Sequence, residues 1–222
     1  MADVLPWSYS SLGAFETCPR RYYLTRITKQ VVEPQTEATL WGNRVHKALE
    51  DAVAGTAPLG KDFQAYQPIV SKMRTLPGQK HTEQKFGLTA SFQPTTFFAK
   101  DVWFRGVIDL TIVTEKEAIV LDYKTGKVKS DGDQLKLFAG AAFAQYPWVE
   151  RVKTGYLWLA HNKTTSNTFT KSDLPSIWQE FAPRVQRMVF AKEKDRWEPK
   201  PSGLCKSWCP VSKSLCEFCG GT

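Results

Sequence analysis

Two aspartates in apolar surroundings are the first candidates for chemistry in this sequence. Asp109 lies within the β-branched run Trp103–Val113, and Asp122 lies near the end of a second such run, Ala118–Tyr123. The segment between the two runs, residues 114–117, reads Thr-Glu-Lys-Glu and is charged and turn-prone. Two apolar runs joined by a short polar segment predict a β-hairpin. A turn centred in this segment would place Asp109 directly opposite Asp122.

Facing carboxylates in a hairpin need a compensating partner. Facing side chains in an antiparallel pair have Cβ atoms roughly 4.5–5.5 Å apart, where like charges are unfavourable. Lys124 follows Asp122 by two residues and therefore returns to the same face of the strand. Two carboxylates and a lysine on one surface would suit a divalent metal ion with a water molecule beside it. The alternative is a solvent-facing hairpin whose charges happen to alternate, and a register slip of one residue would move the pairing.

The composition indicates a globular protein with a polyanionic partner. The chain has 222 residues, of which 42% are hydrophobic, which suits one α/β domain with additions or two small domains. A formal net charge of +8 favours a polyanion such as DNA, although charge alone does not establish one. There is no apolar run of about 18 residues and no signal-peptide pattern at the start. These features predict a soluble cytoplasmic protein.

Hydrophobic periodicity predicts further elements on both sides of the hairpin. Large apolar residues recur at every fourth position from Trp41 to Val53, as on one face of a helix. A shorter N-terminal helix could be capped by Ser8 or Ser10, and Pro19 would end it. In chain order, the predicted elements are helix 8–18, helix 38–53, strand 83–92, the hairpin, helix 133–146 with Asp133 as N-cap, strand 152–160 and helix 173–191.

Five cysteines form a second group that could bind metal. Cys18 stands alone near the N-terminus, whereas Cys205, Cys209, Cys216 and Cys219 crowd the end of the chain. In a chain without a signal peptide, clustered cysteines are more often metal ligands than disulfides. Four local thiolates could hold zinc, and thiolate sulfur serves iron equally well. Zinc would explain the tail but would leave the N-terminal cysteine unused.

Several short motifs, in a fixed order along the chain, resemble those of one nuclease family. The hairpin carries G-x-x-D at 106–109 and D-x-K at 122–124, and the preceding helix carries G-x-x-x-H at 42–46. Gln134 and Phe138 match Q-x-x-x-[YF], in which tyrosine is the more usual aromatic residue. Together these motifs are similar to the PD-(D/E)XK, or restriction-endonuclease-like, superfamily. Within it, the chain resembles the RecB-type branch of CRISPR-associated and phage exonucleases that carry an iron–sulfur cluster.

The resemblance implies a fold and a domain organisation. The fold class is α/β, with an αβββαβ core around a central mixed sheet, a helical N-terminal segment and a Cys-rich C-terminal clasp. The whole chain, residues 1–222, would form a single nuclease domain with its core at about 38–160. The terminal segments 1–30 and 170–222 would be joined by a metal cluster on cysteines. The order of elements predicted from periodicity is the same and does not depend on the motifs.

The resemblance also implies roles for residues around the hairpin. The expected metal is Mg²⁺ or Mn²⁺, one or two ions, and a neutral imidazole suits Mn²⁺ better. Without the family context, His46 would more often be a core histidine, and Glu83 would equally often be a surface residue. The expected metal ligands are His46, Asp109, Asp122 and the Tyr123 carbonyl. The expected catalytic residues are Glu83, Asp109, Asp122, Lys124 and Gln134.

The same resemblance assigns the cysteines and the DNA contacts. The segment from Ser8 to Pro19 is similar to the opening S-x-S-x-L-x-x-F-x-x-C-P of iron–sulfur members, which gives Cys18 the first ligand position. A 4Fe–4S cluster would then use Cys18, Cys205, Cys209 and Cys216, with Cys219 surplus or replacing Cys216, and with zinc as the alternative metal. The expected DNA contacts are Ser10, Arg20, Arg21, Tyr22, Lys127 and Phe138. Arg20 and Arg21 could equally be a solvated surface pair.

The function implied is that of a metal-dependent DNA exonuclease that hydrolyses phosphodiester bonds. It would act in recombination, repair, replication or phage DNA metabolism, in the cytoplasm of a bacterium or of a phage-infected host cell. The chain lacks the phosphate-binding G-x-x-x-x-G-K-[ST] motif, so any helicase or recombinase activity would come from a partner. The first alternative is a non-catalytic DNA-end-binding or scaffold subunit that retains the fold. A zinc-ribbon regulator that acts through its tail is the second, and the sequence does not predict an oligomeric state.

Overall fold

The computed structural model describes residues 5–130 and 132–220. The chain packs into two compact units, each made of separate stretches of sequence. Among the described residues, the sheet unit contains residues 5–6 and 37–177, and the terminal unit contains residues 7–36 and 178–220. The α-helices are α1 Tyr9–Thr17, α2 Pro19–Tyr22, α3 Glu37–Ala54, α4 Gln67–Thr75, α5 Asp133–Gln145 and α6 Leu174–Glu193.

The sheet unit is built on one mixed sheet of six strands in the order β2-β1-β3-β4-β5-β6. The strands are β1 Gln79–Leu88, β2 Pro94–Thr95, β3 Phe104–Val113, β4 Glu117–Lys124, β5 Arg151–Trp158 and β6 Lys163–Thr170. Strands β4 and β5 are parallel, and the other neighbouring pairs are antiparallel. The parallel pair needs a crossover connection, which α5 provides. The predicted α/β fold with an αβββαβ core is therefore confirmed.

The predicted hairpin is confirmed together with its register. Strands β3 and β4 pair from Val113↔Ala118 to Leu110↔Leu121, which is the pairing expected for a turn centred on residues 115 and 116. The turn closes through a hydrogen bond from the Thr114 backbone N–H to the Glu117 carbonyl. Both strands are rich in β-branched residues and mostly buried, as suits the centre of a sheet.

Helices α3 and α4 pack on the hairpin to form the main core of the sheet unit. The apolar stripe predicted for α3 is confirmed, because Val45, Leu49 and Val53 are all buried. They share one cluster with Met73 of α4 and with Ile112 of β3. Burial of side chains of this size contributes about 1.5–3 kcal/mol each, which fixes α3 against the sheet.

Some element boundaries differ from the predicted ones. Strand β1 begins at Gln79 and ends at Leu88, earlier than predicted, because Phe92 lies in a turn with a φ of +60°. Helix α5 begins at Asp133, and its N-cap is Gly132 without a side-chain hydrogen bond, so Asp133 is not the cap. Strand β6 was not predicted at all, because its exposed polar sequence lacks the alternation of a half-buried strand.

The terminal unit contains helices α1 and α2 and most of α6. Ser8 caps α1 through a reciprocal pair of hydrogen bonds with Ser11. Of the two serines that the sequence analysis considered, Ser8 is therefore the N-cap and Ser10 is not. The helix ends at Thr17, and its C-cap Cys18 immediately precedes Pro19 and the short helix α2. The aromatic core of this unit contains Trp7, Phe15, Tyr22, Phe181 and Trp197, which are all buried.

No helix in the described parts of the chain is both long enough and apolar enough to cross a membrane.

Candidate functional site

Three neighbouring strands each supply one carboxylate at the same level of the sheet. The β1–β3 ladder pairs Thr82 with Leu110 and Gln84 with Ile108, which brackets Glu83 and Asp109 as opposed positions. The β3–β4 ladder ends at Leu110↔Leu121, and its register places Asp109 opposite Asp122 one position further on. The row Glu83–Asp109–Asp122 therefore runs across β1, β3 and β4.

Glu83 interrupts its strand. It is absent from the β1–β3 pairing and has a φ of +47°, a left-handed conformation that is uncommon for residues other than glycine. Such conformations cost about 1–3 kcal/mol, and they persist where the surrounding structure holds them in place. Here the ladder continues on both sides of Glu83. The local strain is therefore held by the flanking strand pairs.

His46 reaches the row from α3. Its Nδ1 lies 3.2 Å from Asp109 Oδ1, and the ring packs edge-on against Tyr123 with centroids 5.6 Å apart. One turn earlier, Gly42 lies close to Thr125, because a Cβ at Gly42 would be 3.3 Å from Thr125 Oγ1. This explains the glycine of the G-x-x-x-H motif as a close approach between α3 and the loop after β4.

Tyr123 holds the Asp109 carboxylate through its backbone. The Tyr123 N–H donates to Asp109 Oδ2 at 2.5 Å, at the level where the β3–β4 ladder has ended. Its buried side chain donates through the hydroxyl to Met73 Sδ at 3.5 Å. Both oxygens of Asp109 therefore have protein partners, and the carboxylate is fixed in position.

Asp122, Lys124 and Gln134 form a closed triangle. Lys124 Nζ lies 2.7 Å from Asp122 Oδ2 and donates to Gln134 Oε1 at 2.8 Å. Gln134 Nε2 in turn donates to Asp122 Oδ1 at 2.9 Å. Gln134 lies in the first turn of α5, so the packing of this helix fixes the lysine amine beside the carboxylate. Lys124 also lies over the Tyr156 ring, with its Nζ 5.0 Å from the centroid.

The charge of Asp109 helps to shift the pKa values of three titratable neighbours. Burial and the neighbouring Asp109 charge raise the pKa of Asp122 to about 6, although Lys124 opposes the shift. Burial and the charge of Asp109 also raise the pKa of Glu83. Burial disfavours protonation of His46, but its hydrogen bond to Asp109 and the nearby carboxylates prevail and raise its pKa. The three carboxylates of the row thus carry more negative charge than the neighbouring Lys124 and His46 neutralise.

The donor set fits a divalent metal ion. Ligand atoms of His46, Glu83 and Asp109 all lie within 4.8 Å of one another. Asp122 Oδ2 is buried and receives no well-aligned hydrogen bond, although Lys124 is close. Oxygen-rich sites with one imidazole suit Mn²⁺ and Mg²⁺. His46, Glu83 and Asp109 line an open cleft, through which a substrate could reach them.

The cleft contains residues that the sequence analysis missed. Asn43, Lys47 and Glu50 of α3 line it beside His46, and Thr125 lines it from the loop after β4. Lys47 forms ion pairs with Glu50 at 3.0 Å and with Asp51 at 2.9 Å. Asn43 and Glu50 stand three and four residues from His46, so helical spacing could have identified them, whereas Lys47 directly follows His46 and has no such signal.

The predicted DNA contacts divide into exposed and buried residues. Lys127 and Ser10 are exposed and could meet a ligand. Tyr22 is only 4% exposed and packs against Phe15 and Trp197, and Phe138 is only 3% exposed. The predictions for Tyr22 and Phe138 are therefore corrected, because buried rings have no face to offer to DNA.

Phe138 has a packing role instead. Its ring meets Phe86 edge-on with centroids 6.0 Å apart, and a Cβ added at Gly106 would lie 2.8 Å from Phe86 Cζ. The glycine of the G-x-x-D motif therefore makes room for the aromatic contacts that hold α5 against β1 and β3.

The two arginines near α2 already have partners in the protein. Arg20 donates to the Leu215 carbonyl from Nε and Nη2, at 3.3 and 3.2 Å. Arg21 pairs with Glu33 at 2.9 Å and remains about one-third exposed. Phosphate binding by either side chain would compete with these contacts.

All five cysteines line one cavity in the terminal unit. Each is a free thiol. The Sγ atoms of Cys219 and Cys209 lie 3.4 Å apart. Burial, together with the neighbouring Cys209 and Cys216 thiols, raises the pKa of Cys219. Cys18 accepts a hydrogen bond from the Lys200 backbone at 3.5 Å, which brings the N-terminal cysteine to the tail. Cys219, surplus in the sequence prediction, belongs to the same group.

Comparisons with known proteins identify the family of this chain. The chain shows 36% identity over 120 residues to the Gene 69 protein of Mycobacterium phage D29, and the match covers 51% of this chain and 43% of that protein. It also resembles the crystal structure of a candidate exonuclease from Eubacterium rectale, with a TM-score of 0.55 and 12% identity. That likeness covers 94% of this chain and 92% of the other. The model of the PD-(D/E)XK nuclease superfamily matches residues 6–217, through both units. The chain belongs to the PD-(D/E)XK nuclease superfamily.

Proposed function

We propose that this protein is a DNA exonuclease that depends on Mg²⁺ or Mn²⁺. The observation that carries the proposal is the row of three carboxylates with a lysine amine fixed beside it. His46, Glu83, Asp109 and Asp122, with the Tyr123 carbonyl, would hold one or two ions. The chemistry that such an ion supplies is a more acidic bound water and charge neutralisation on the phosphate.

Lys124 is proposed to act on the water or on the phosphate. Asp122 and Gln134 hold its amine within 2.8 Å of their oxygens, so little reorganisation is needed when charge develops on a phosphate. Gln134 also donates to Asp122, which keeps that carboxylate oriented. Asp122 must be ionised to bind metal, so activity should rise as the pH passes its pKa of about 6.

DNA is the proposed substrate because the chain belongs to a nuclease superfamily and carries a net charge of +8. Lys127, exposed shortly after Lys124, is proposed to contact the phosphate backbone. Ser10, Arg20 and Arg21 remain proposed contacts, with the arginines exchanging their protein partners for phosphate. Attack at DNA ends is favoured by the resemblance to RecB-type nucleases and to the candidate exonuclease. A helicase or recombinase partner in replication or repair would supply unwound DNA.

The cysteine group is proposed to bind a 4Fe–4S cluster with a structural role. The proposed ligands are Cys18, Cys205, Cys209 and Cys216, with Cys219 in contact with two of its neighbours and able to replace Cys216. The gathering of all five thiols around one cavity supports metal binding, and zinc is the other candidate. Anaerobic purification followed by iron, sulfide and zinc analysis separates the two metals.

The proposed activity is tested with end-labelled single-stranded and double-stranded DNA. Wild type and Lys124→Ala are incubated with Mg²⁺, Mn²⁺ or EDTA, and release of label is followed from each end. The proposal expects metal-dependent release that is lost in the variant. Intact DNA with every metal, together with retained binding, would instead support a non-catalytic DNA-end-binding or scaffold subunit.

A further inference from the structure

A groove on the sheet unit lies apart from the candidate cleft. It is bounded by α4 on one side and by the open surface of β4, β5 and β6 on the other, and it holds about 390 Å³. This volume is within the range of roughly 300–1,000 Å³ that is typical of ligand sites. The groove shares no lining residue with the cleft that contains His46, Glu83 and Asp109.

The exposed part of the groove interior is largely aliphatic. Its floor contains Ile119 and Leu121 of β4 and Leu157 of β5. Ile69 of α4 and Leu76, the residue that follows this helix, form the wall. All five side chains are only half-buried, although they pack against the main core of the unit. Apolar surface that stays partly wet at the edge of a core is the kind of surface that a partner can cover.

Gly155 keeps this floor open. It lies in β5 beside Leu121, and a Cβ there would be 3.4 Å from Leu121 Cδ2 and 3.2 Å from the Thr165 carbonyl oxygen. A larger side chain would fill the space between β4 and β6. The neighbouring β6 residues Thr164 and Ser166 are small and polar, so they do not roof the groove from that side.

The rim of the groove is positively charged. Lys72 of α4, Lys153 of β5 and Lys163 of β6 are exposed and line it, and no aspartate or glutamate lines it among the described residues. In the described part of the chain, none of the three lysines forms an ion pair or hydrogen bond through its side chain. Three cations from three elements surround one aliphatic groove.

The combination of charge and apolar floor selects the occupant. Nucleic acid would match the lysines, but non-specific binding of single strands relies on aromatic rings for base stacking. The Trp158 ring, the aromatic residue among the described lining residues, is only 3% exposed and has no face to offer to a base. A peptide with carboxylates and a large apolar side chain would match both parts. We propose that this groove binds a short acidic segment of a partner protein, which inserts one or two large apolar side chains between α4 and the sheet.

This proposal predicts salt-sensitive binding of modest strength. The lysines are exposed, so they would mainly accelerate association and would be screened by salt, while the aliphatic groove would slow dissociation. Reversal of two of the three positive charges is expected to weaken binding by at least about tenfold. Removal of the apolar side chain from the peptide is expected to weaken it at least as much, because burial of that side chain provides most of the affinity.

The test uses fluorescein-labelled peptides and fluorescence anisotropy. The panel consists of acidic peptides that carry a leucine–phenylalanine, isoleucine–phenylalanine or leucine–tryptophan pair. Each has one control with serines at the apolar pair and one with lysines in place of the acids. The protein variants are Lys72→Glu with Lys153→Glu, Ile69→Ser, and the control Lys100→Glu, whose lysine is exposed and does not line the groove.

The expected result is saturable binding of the acidic apolar peptides, weakened by the double lysine variant and by Ile69→Ser but not by Lys100→Glu. Thermal unfolding checks that each variant is folded. If Ile69→Ser does not fold, the comparison of the surface lysine variants still tests the proposal. Cleavage of DNA is expected to be unchanged in the double lysine variant. Absence of binding by the whole panel up to about 1 mM would overturn the proposal. Equal binding by the control peptides, or displacement by short single-stranded DNA, would overturn it as well.

Discussion

Glu83 lies opposite Asp109 at the only interruption of the β1–β3 ladder within the described strands. The left-handed backbone at Glu83 removes this residue from the ladder at the position where a second carboxylate faces it. Burial is the larger cause of the raised pKa of Glu83, and the charge of the facing Asp109 is the next. A regular strand at this point would have avoided the strain. The conformation is consistent with selection for the position of the carboxylate rather than for stability.

The first prediction concerns this strain. Glu83→Gly and Glu83→Ala both remove the carboxylate, but only glycine relieves the positive φ. We expect Glu83→Gly to be more stable than Glu83→Ala by about 1 kcal/mol, the reverse of the usual order in a strand. Urea unfolding in EDTA measures the difference. At Gln84, which is regularly paired with Ile108, the same two substitutions should give the usual order.

Glu83 variants also test metal binding. Both are expected to weaken Mn²⁺ binding, measured by calorimetry, because each removes a carboxylate within 4.8 Å of the other ligand atoms. Unchanged Mn²⁺ affinity in both would place Glu83 outside the metal site.

The second prediction concerns Asp122 and pH. Its pKa is raised in the folded protein to about 6 from an ordinary value of 3.8, so the folded state binds the proton more tightly than the unfolded state. The free energy of unfolding therefore falls as the pH rises between these values. Asp122→Asn removes this penalty and should stabilise the metal-free protein above pH 6 by up to about 3 kcal/mol.

Thermal unfolding in EDTA across pH 4–8 measures this effect. The stabilisation should shrink toward pH 4, where wild-type Asp122 is protonated in the folded state. Mn²⁺ should then stabilise the wild type more than the variant. Binding to the folded state raises stability, and the variant lacks the Asp122 carboxylate that is proposed to bind the metal. A variant that is less stable at every pH would show that the hydrogen bonds of Asp122 outweigh its desolvation.

The third prediction concerns Lys124. Lys124→Met keeps most of the side-chain length but removes the amine that contacts Asp122 and Gln134. DNA cleavage is expected to fall by about 10²–10³-fold, as for loss of a fixed charge-stabilising group. Binding of DNA in Ca²⁺ should change far less. Lys116→Met is the matched control because Lys116 is exposed in the hairpin turn, and a similar loss there would point to net charge as the cause.

The fourth prediction concerns Gly106. A methyl group at this position would lie 2.8 Å from Phe86 Cζ, and the Phe86 ring is held by the rings of Phe104 and Phe138. Gly106→Ala should therefore destabilise the protein by about 1–3 kcal/mol, as expected for overpacking. Phe86→Leu should recover part of this loss in the Gly106→Ala background while being destabilising alone. Additive effects in denaturant unfolding would contradict the proposed contact.

The hairpin and its carboxylates could be predicted from the sequence because their geometry is local. Alternating apolar residues and a short turn determine the β3–β4 register, and that register places Asp109 opposite Asp122. The apolar stripe of α3 likewise predicted which face carries Val45 and Leu49 and left His46 beside it. The family motifs and the α/β fold rested on these same local patterns.

Only the tertiary structure decided what meets these residues. Phe138 matched a motif but is buried, because α5 docks it against Phe86, and this depends on chain segments about fifty residues apart. The left-handed Glu83 carries no sequence signal, since glutamate has no preference for that conformation. Strand β6 has no apolar pattern and exists through its backbone pairing with β5. Local periodicity determined the elements, whereas long-range packing decided which side chains reach the site.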